Sequence, residues 1–290
     1  MKRKFNFLPY LMIAPLFLIM IIFIFYPLSI TFIDSFKSIN LLKPQELGFV
    51  GIDNYLDLFK DMEVLKAFKN SFLYYIFAVT FELLGGLLIA LILKNKFKGR
   101  GIILAILVLP FALPPVVNGV IWKWIYHPNY GLLNDLLLKL GVIGTNQVWL
   151  GKTNLSLFLI ALVHVWKMMP LSALILLAQL QTIPKELYEA ASIDGCNKFN
   201  CFRYITLKEL KPAILIALSQ ATIGAFQLFD EIFVLTGTDL DTRSILIETY
   251  LIAFRKLKFS LGMALSLIIT IVSVLIIYFY KNTGKGCASK

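Results

Sequence analysis

Two histidines and three cysteines among 290 residues leave little material for a metal centre or a nucleophilic site, and only 16% of the residues are charged. Ordinary soluble domains carry about 25%, so this charge content beside 59% apolar residues argues against a water-soluble protein. The chain has no internal repeat at periods of about 20–50 residues and no low-complexity tract, which excludes solenoids, propellers and disordered arrays. A phosphate-cradling loop is also missing. It requires Gly, four residues, then Gly-Lys-Ser/Thr, and the near match Gly151-Lys152-Thr153 has Asn146 where the first glycine belongs. Neither His127 nor His164 has a ligand or nucleophile pattern beside it, and Cys196, Cys201 and Cys287 lack further partners at zinc-ligand spacing. No metal, bound cofactor or catalytic residue is expected in this chain.

What is present is apolar sequence in long blocks. Six stretches, 8–33, 67–93, 101–126, 155–180, 212–235 and 259–280, have the length that crosses a bilayer. They predict an all-α integral membrane protein with six transmembrane helices in a single membrane domain over 1–290. The first block follows Met1-Lys2-Arg3-Lys4, exceeds a signal-peptide core and lacks a small-residue cleavage site, so it is expected to be a retained span.

The net charge of +11 would point to nucleic acid in a soluble protein. Its distribution points elsewhere. The N-terminus, the loops at 94–100 and 181–211 and the tail hold 15 basic residues against four acids, whereas the loops at 34–66, 127–154 and 236–257 hold nine against ten. Positive loops stay in the cytoplasm, so both termini are expected inside, and the charge reflects topology and lipid rather than a nucleic-acid partner. All three cysteines then fall on the reducing side.

The loop 181–211 reads as structure. Pro184 suits a first helical turn and Glu186 the positive end of its dipole. A helix should run to about Asp194, Gly195 should stop it, and a second helix from about Asn197 should carry Phe199, Phe202, Ile205 and Leu210 on one face. Amphipathic spacing leaves two readings open: a hairpin lying on the headgroups, or one docking on a partner.

Glu189-Ala190-Ala191, three residues, Gly195, nine residues, Ile205, one residue and Leu207 resembles the cytoplasmic coupling loop of binding-protein-dependent ATP-binding-cassette importers. The likeness extends along the chain through Phe49–Tyr55, Leu109–Pro115 with Trp122-Lys-Trp124, Asn129–Asn134, Val165–Pro170 and Phe229–Gly237, and narrows to permeases of the carbohydrate-uptake type, including glycerol-phosphate importers. The sequence departs from the pattern at Lys208, where the family has Pro, and at Thr238-Asp239-Leu240-Asp241, where it has Gly-Gly-Gly-Pro.

The resemblance implies that Glu189, Ala190, Ala191, Asp194, Gly195, Ile205 and Leu207 couple the chain to two ATPase subunits, which would bind the ATP and Mg. It also implies a second homologous permease, an extracytoplasmic solute-binding protein and a prokaryotic inner membrane. Polar residues inside the spans are costly unless they face a cavity or a partner. Among Glu82, Asn118, Lys123, His164, Lys167, Gln179, Gln220, Gln227, Asp230 and Glu231, the substrate path is assigned to Asn118, Gln220, Gln227 and Asp230. Trp122, Trp124 and Trp166 fit either sugar stacking or an interfacial belt. An ion-coupled secondary transporter and an intramembrane enzyme acting on lipid-linked sugar remain as alternatives.

Overall fold

The computed structural model describes residues 8–39, 48–95 and 97–285, so the expectations for Lys2, Arg3, Lys4, Lys96, Cys287 and Lys290 lie outside the described residues. Helix α1 joins Leu8–Met20, a wider π-turn at Ile21–Phe25 and Tyr26–Asp34. A short antiparallel ribbon pairs β1 (Lys37–Ser38) with β2 (Gly48–Phe49). Next come α2 (Asp53–Lys60), α3 (Met62–Lys94), α4 (Arg100–Ala112), α5 (Pro115–Ile125), α6 (Leu132–Lys139) and α7 (Thr153–Thr182). The order continues with α8 (Lys185–Ile193), α9 (Lys198–Phe226, with a π-turn at Phe202–Thr206), α10 (Asp230–Thr236), α11 (Ile245–Tyr250 with a π-turn at Leu251–Arg255) and α12 (Phe259–Lys285).

Among the described residues, four continuous helices are long and apolar enough to cross a membrane: Tyr10–Asp34, Met62–Lys94, Thr153–Thr182 and Phe259–Asn282. Two bent pairs add to them, α4 with α5 at 99° and α9 with α10 at 42°, giving six crossings when each pair counts as one. The stretch 101–126 is therefore two helices at nearly a right angle rather than one straight rod. Proline explains the corner. A residue before proline is driven out of the helical region, and Leu113 and Pro114 are both extended, with ψ of 137° and 142°. Pro115 then opens α5 in the first turn, where its missing N–H costs nothing.

The chain divides into two compact units. In the unit formed by Met1–Met62 and Thr249–Ile268, Asn54 is the anchor. Its Nδ2 donates to the carbonyls of Ser35 at 2.7 Å and Lys37 at 2.8 Å, while the Ser35 and Tyr55 hydroxyls share a 2.7 Å hydrogen bond. The Ile39 amide donates to Ser260 Oγ at 3.0 Å. These bonds hold the end of α1, the ribbon, α2 and the start of α12 together.

The second unit, Glu63–Glu248 with Ile269–Lys290, is organised by α7. Of its most apolar stretch, 61% is buried, against 33% for α3. Helix α3 buries a stripe at helical spacing, from Ala67, Ser71 and Tyr74 through Ala78 and Glu82 to Gly86, Ala90 and Leu93. Small residues let helix backbones approach where lipid gives no hydrophobic drive to associate. At Gly86 a Cβ would stand 3.0 Å from the Ala173 amide nitrogen and 3.0 Å from Ser172 Cβ. Towards one end the packing becomes aliphatic, with Ala90, Leu93, Leu176, Leu180, Ile183 and Leu210 buried in one cluster.

Gly86→Ile should therefore push α3 from α7 and cost about 1–3 kcal/mol, as overpacking does. Gly101→Ala, at a glycine where an added methyl would meet nothing within 4 Å, should leave stability level or slightly raised. Thermal melting of the two variants in the same detergent checks the difference.

Candidate functional site

Three acid–base side chains from three helices meet inside the larger unit. Glu82 on α3, His164 on α7 and Glu231 on α10 are 0%, 6% and 4% exposed. His164 Nε2 lies 3.4 Å from Glu82 Oε1, and its Nδ1 lies 3.9 Å from Glu231 Oε1. Neither imidazole nitrogen nor either Glu82 oxygen has a well-aligned hydrogen-bond partner among the described residues. Buried Lys167, one helical turn along α7 from His164, lies within electrostatic reach of Glu231. The sequence gives His164 no constellation of neighbours, and the fold assembles one from residues far apart in the chain. It is Glu231, rather than the adjacent Asp230 assigned to the substrate path, that belongs to this cluster.

Gly224 on α9 covers the cluster: a Cβ there would come within 3.3 Å of His164 Nε2. The other side of that wall is an open cleft of about 600 Å³, lined by Met168, Ser219, Gln220, Gly224, Gln227 and Tyr280 among others. Gln220 brings to it a buried Oε1 without a donor. Gln227 ends α9 and is exposed, with its backbone N–H bonded to the Ile223 carbonyl. The fold thus unites Gln220 and Gln227 and leaves Asn118 and Asp230 outside the cleft lining. Asn118 is fully buried on α5, its Nδ2 donating to the Val163 carbonyl at 3.4 Å. The tryptophans also lie outside the lining: Trp122 packs edge-on to Trp166 with centroids 5.6 Å apart, and Trp124 is exposed beside Tyr130.

The hairpin of α8 and the start of α9 has the expected form. Pro184 caps α8, and Asp194 ends it. The Cys196 amide donates to the Ala191 carbonyl at 2.9 Å and the Gly195 amide to the Ser192 carbonyl at 3.1 Å, the paired bonds of a Schellman stop. Gly195 takes φ of +77°, a conformation costly for any residue with a Cβ. Asn197 then caps the second helix, its side chain accepting from the Asn200 amide at 2.8 Å. Tyr188 and Thr206 join the two arms through their hydroxyls at 2.9 Å. Lys208, standing in for proline, keeps its backbone donor, and α9 runs unbroken from Lys198 to Phe226. Ala190 and Asp194 are exposed, Ala191, Ile205 and Leu207 half-buried, and Glu189 lines a cleft beside this chain's own Lys94, Arg100 and Lys185. A hydrogen bond with Cys201, then desolvation and the nearby Asp194 charge, pushes the Cys196 thiol up to about 11 and keeps it protonated at neutral pH.

The segment Thr238–Asp241, which replaces a glycine-rich run, braces itself. Asp241 pairs with Lys66 and accepts from Thr153 Oγ1 at 3.2 Å, so the Lys66 ammonium beside it holds its carboxyl below the usual aspartate range. Asn70 Nδ2 reaches the carbonyls of Leu240, Asp241 and Arg243 at 3.1–3.2 Å, and the Tyr74 hydroxyl donates to the Thr242 carbonyl at 2.7 Å. Thr153 of the false phosphate loop is thus engaged with an acid. Lys123 caps α10 by donating to the Val234 carbonyl at 3.0 Å.

Residues 82–283 match the family described as the binding-protein-dependent transport system inner membrane component. The chain belongs to that family. This permease is 37% identical over 280 residues to the trehalose/maltose transport system permease protein MalF of Thermococcus litoralis, covering 96% of this chain and 94% of the relative. It is 34% identical to the sulfoquinovosyl glycerol transport system permease protein SmoG of Agrobacterium fabrum, covering 93% and 88%. In fold it is similar to a chain of a bacterial transporter involved in import of the acidic polysaccharide alginate, with a TM-score of 0.81 at 21% identity over 96% of this chain and 95% of that one.

The permease's buried cluster yields a measurable coupling. His164→Leu removes the base between two buried carboxyls, and losing one partner of such a group is costly. In a double-mutant cycle with Glu82→Leu, the pair should show a favourable interaction of about 1 kcal/mol or more. Additive losses in detergent melting would mean that the two side chains do not act on each other.

Proposed function

We propose that this chain is the membrane-spanning permease of an ATP-driven importer, forming with a second, similar permease the route for a carbohydrate-type solute handed over by an extracytoplasmic binding protein. The observation that carries the reading is the end-to-end likeness, at 37% identity, to a trehalose/maltose permease. The solute class is supported by relatives for trehalose/maltose and sulfoquinovosyl glycerol. A similar solved transporter in complex with an alginate pentasaccharide-bound periplasmic protein supports delivery by a binding protein. We further propose inner-membrane residence with both termini cytoplasmic, from the positive-inside charge pattern.

The mechanism follows from continuity. The hairpin is joined to α7 through Ile183-Pro184 and is one helix with α9 beyond its turn. These two helices contribute Met168, Ser219, Gln220 and Gln227 to the cleft. Two ATPase subunits holding ATP and Mg would grip the hairpin through its exposed turn, where Ile193 and Phe199 are 88% and 68% exposed. Closure of the ATPases then displaces the ends of α7 and α9, and rigid helices carry that displacement to the cleft, the common route of domain-level switching. In the cleft the exposed Gln227 amide offers both donor and acceptor to a sugar hydroxyl, and Gln220 lines the same wall. Asn118 and Asp230 remain proposed members of the path further along it.

Mild-detergent purification from the native membrane with mass spectrometry tests the assembly. Recovery of an ATPase with a phosphate-binding loop and of a second six-span chain supports the importer, whereas solute uptake that persists without ATP and follows an ion gradient favours a secondary carrier. Gly195→Arg, which forces a side chain into a positive-φ stop, is expected to abolish solute-stimulated ATP hydrolysis while membrane insertion stays at the parent level. Normal transport by that variant would sink the role of the loop.

A further inference from the structure

Beneath the hairpin is a second cleft, of about 780 Å³, in which this chain gathers three basic side chains: Lys94 from the end of α3, Arg100 from the start of α4 and Lys185 from the first turn of α8. Glu189 is the acid on its wall, and none of the three cations is ion-paired to it or to another acid among the described residues. Three positive charges against one negative leave an uncompensated anion site.

The donors are held in place. Lys94 Nζ donates to the Tyr188 hydroxyl at 3.1 Å and lies 4.3 Å from the centre of that ring. That hydroxyl is in turn joined to Thr206. Arg100 spends its Nε on the Leu93 carbonyl at 2.7 Å. Its two terminal nitrogens remain as a planar fork, the geometry that grips two oxygens of one phosphate. Lys94 and Arg100 are half-buried where membrane helices end, and Lys185 is exposed at the rim.

The same two helices carry Ile92, Ile102 and Ile106 beside these ends at 67%, 68% and 61% exposure. Exposed apolar faces on the two helices that end at a recessed basic cleft match one molecule with an anionic phosphate head and acyl or isoprenoid tails. We propose that this cleft binds the phosphate of an anionic membrane phospholipid, with Arg100 and Lys94 as its principal ligands and the tails lying along the exposed faces of α3 and α4. Basic pockets between helix ends are suited to such headgroups. A lipid seated here touches α8 through Lys185 and Tyr188, so it braces the hairpin against the ends of α3 and α4. The inference does not depend on the transported solute or on the ATPase.

Native mass spectrometry of the delipidated full-length chain, titrated with phosphatidylglycerol, phosphatidylcholine or inorganic phosphate, provides the test. Phosphatidylglycerol should be retained at least fivefold more than phosphatidylcholine, and Lys94→Gln/Arg100→Gln should bring that ratio close to one. Lys185→Gln, altering an exposed side chain that folding does not need, should lower it, and Lys98→Gln, outside the cleft lining, should not. Equal retention of the two lipids, or variants that keep the parent ratio, would overturn the proposal. Inorganic phosphate that displaces phosphatidylglycerol with the same residue dependence would make the ligand a soluble anion. Loss of a co-purifying protein with unchanged lipid preference would make the cleft a protein socket, and either result removes the lipid.

Discussion

Hydrocarbon offers no hydrogen bonds, so a polar side chain carried into it must find its partner on another helix. Here that demand converges on α7. His164 faces Glu82 of α3 on one side and Glu231 of α10 on the other, so three helices meet at one imidazole. The short helix α10 buries Ile232 and Leu235. It is fixed by Glu231 at its start, by Lys123 at its last carbonyls and by Gly119 of α5, where a Cβ would lie 3.0 Å from Val234. The two bent pairs therefore meet through their second members, α5 and α10.

Close backbone approach is the second requirement, because α3 and α7 bring Glu82 and His164 together only if nothing bulky stands between them. Gly86 and Ala90 on α3 and Ser172 and Ala173 on α7 meet that condition. Gly224 does the same for α9, standing between His164 and the cleft that it lines. The cluster is accordingly well sited to sense how α9 sits on α7, the same pair of helices that the hairpin joins.

Local features of this architecture were legible in the sequence, and the ones that depend on distance along the chain were not. Apolar blocks and the Pro184–Gly195–Asn197 punctuation each act within a turn or two, and the helices and the hairpin stand where those residues put them. The 99° size of the corner depends on packing against α7 and α10 and has no local signal. Glu82, His164 and Glu231 could be picked out singly as costly residues in apolar helices, but nothing in their spacing pairs them. A small-residue rhythm through Ala67, Ser71, Ala78, Gly86 and Ala90 was available to reveal the buried face of α3, and Glu82 falls within it, four residues from both Ala78 and Gly86.

The departures from the family pattern show how the same rule works at the surface. Glycine-rich turns need little from their surroundings, whereas Thr238–Asp241 recruits Lys66, Asn70 and Thr153 to satisfy its polar groups, and Tyr74 holds the carbonyl of Thr242 just beyond it. That makes the loop an extension of the α3 and α7 ends rather than a separate flap. At the opposite end, Lys208 in place of proline leaves α9 a continuous rod from the hairpin to the 42° bend. Force applied at the Gly195 turn therefore reaches Gln227 through helix backbone alone, and a helix transmits displacement along its axis because each turn is hydrogen-bonded to the next. Two features interrupt that regular ladder within α9: the π-turn at Phe202–Thr206, and Pro212, which has no N–H to give to the Lys208 carbonyl one turn back. The π-turn lies where Thr206 meets Tyr188, so that interruption is supported by the other arm of the hairpin.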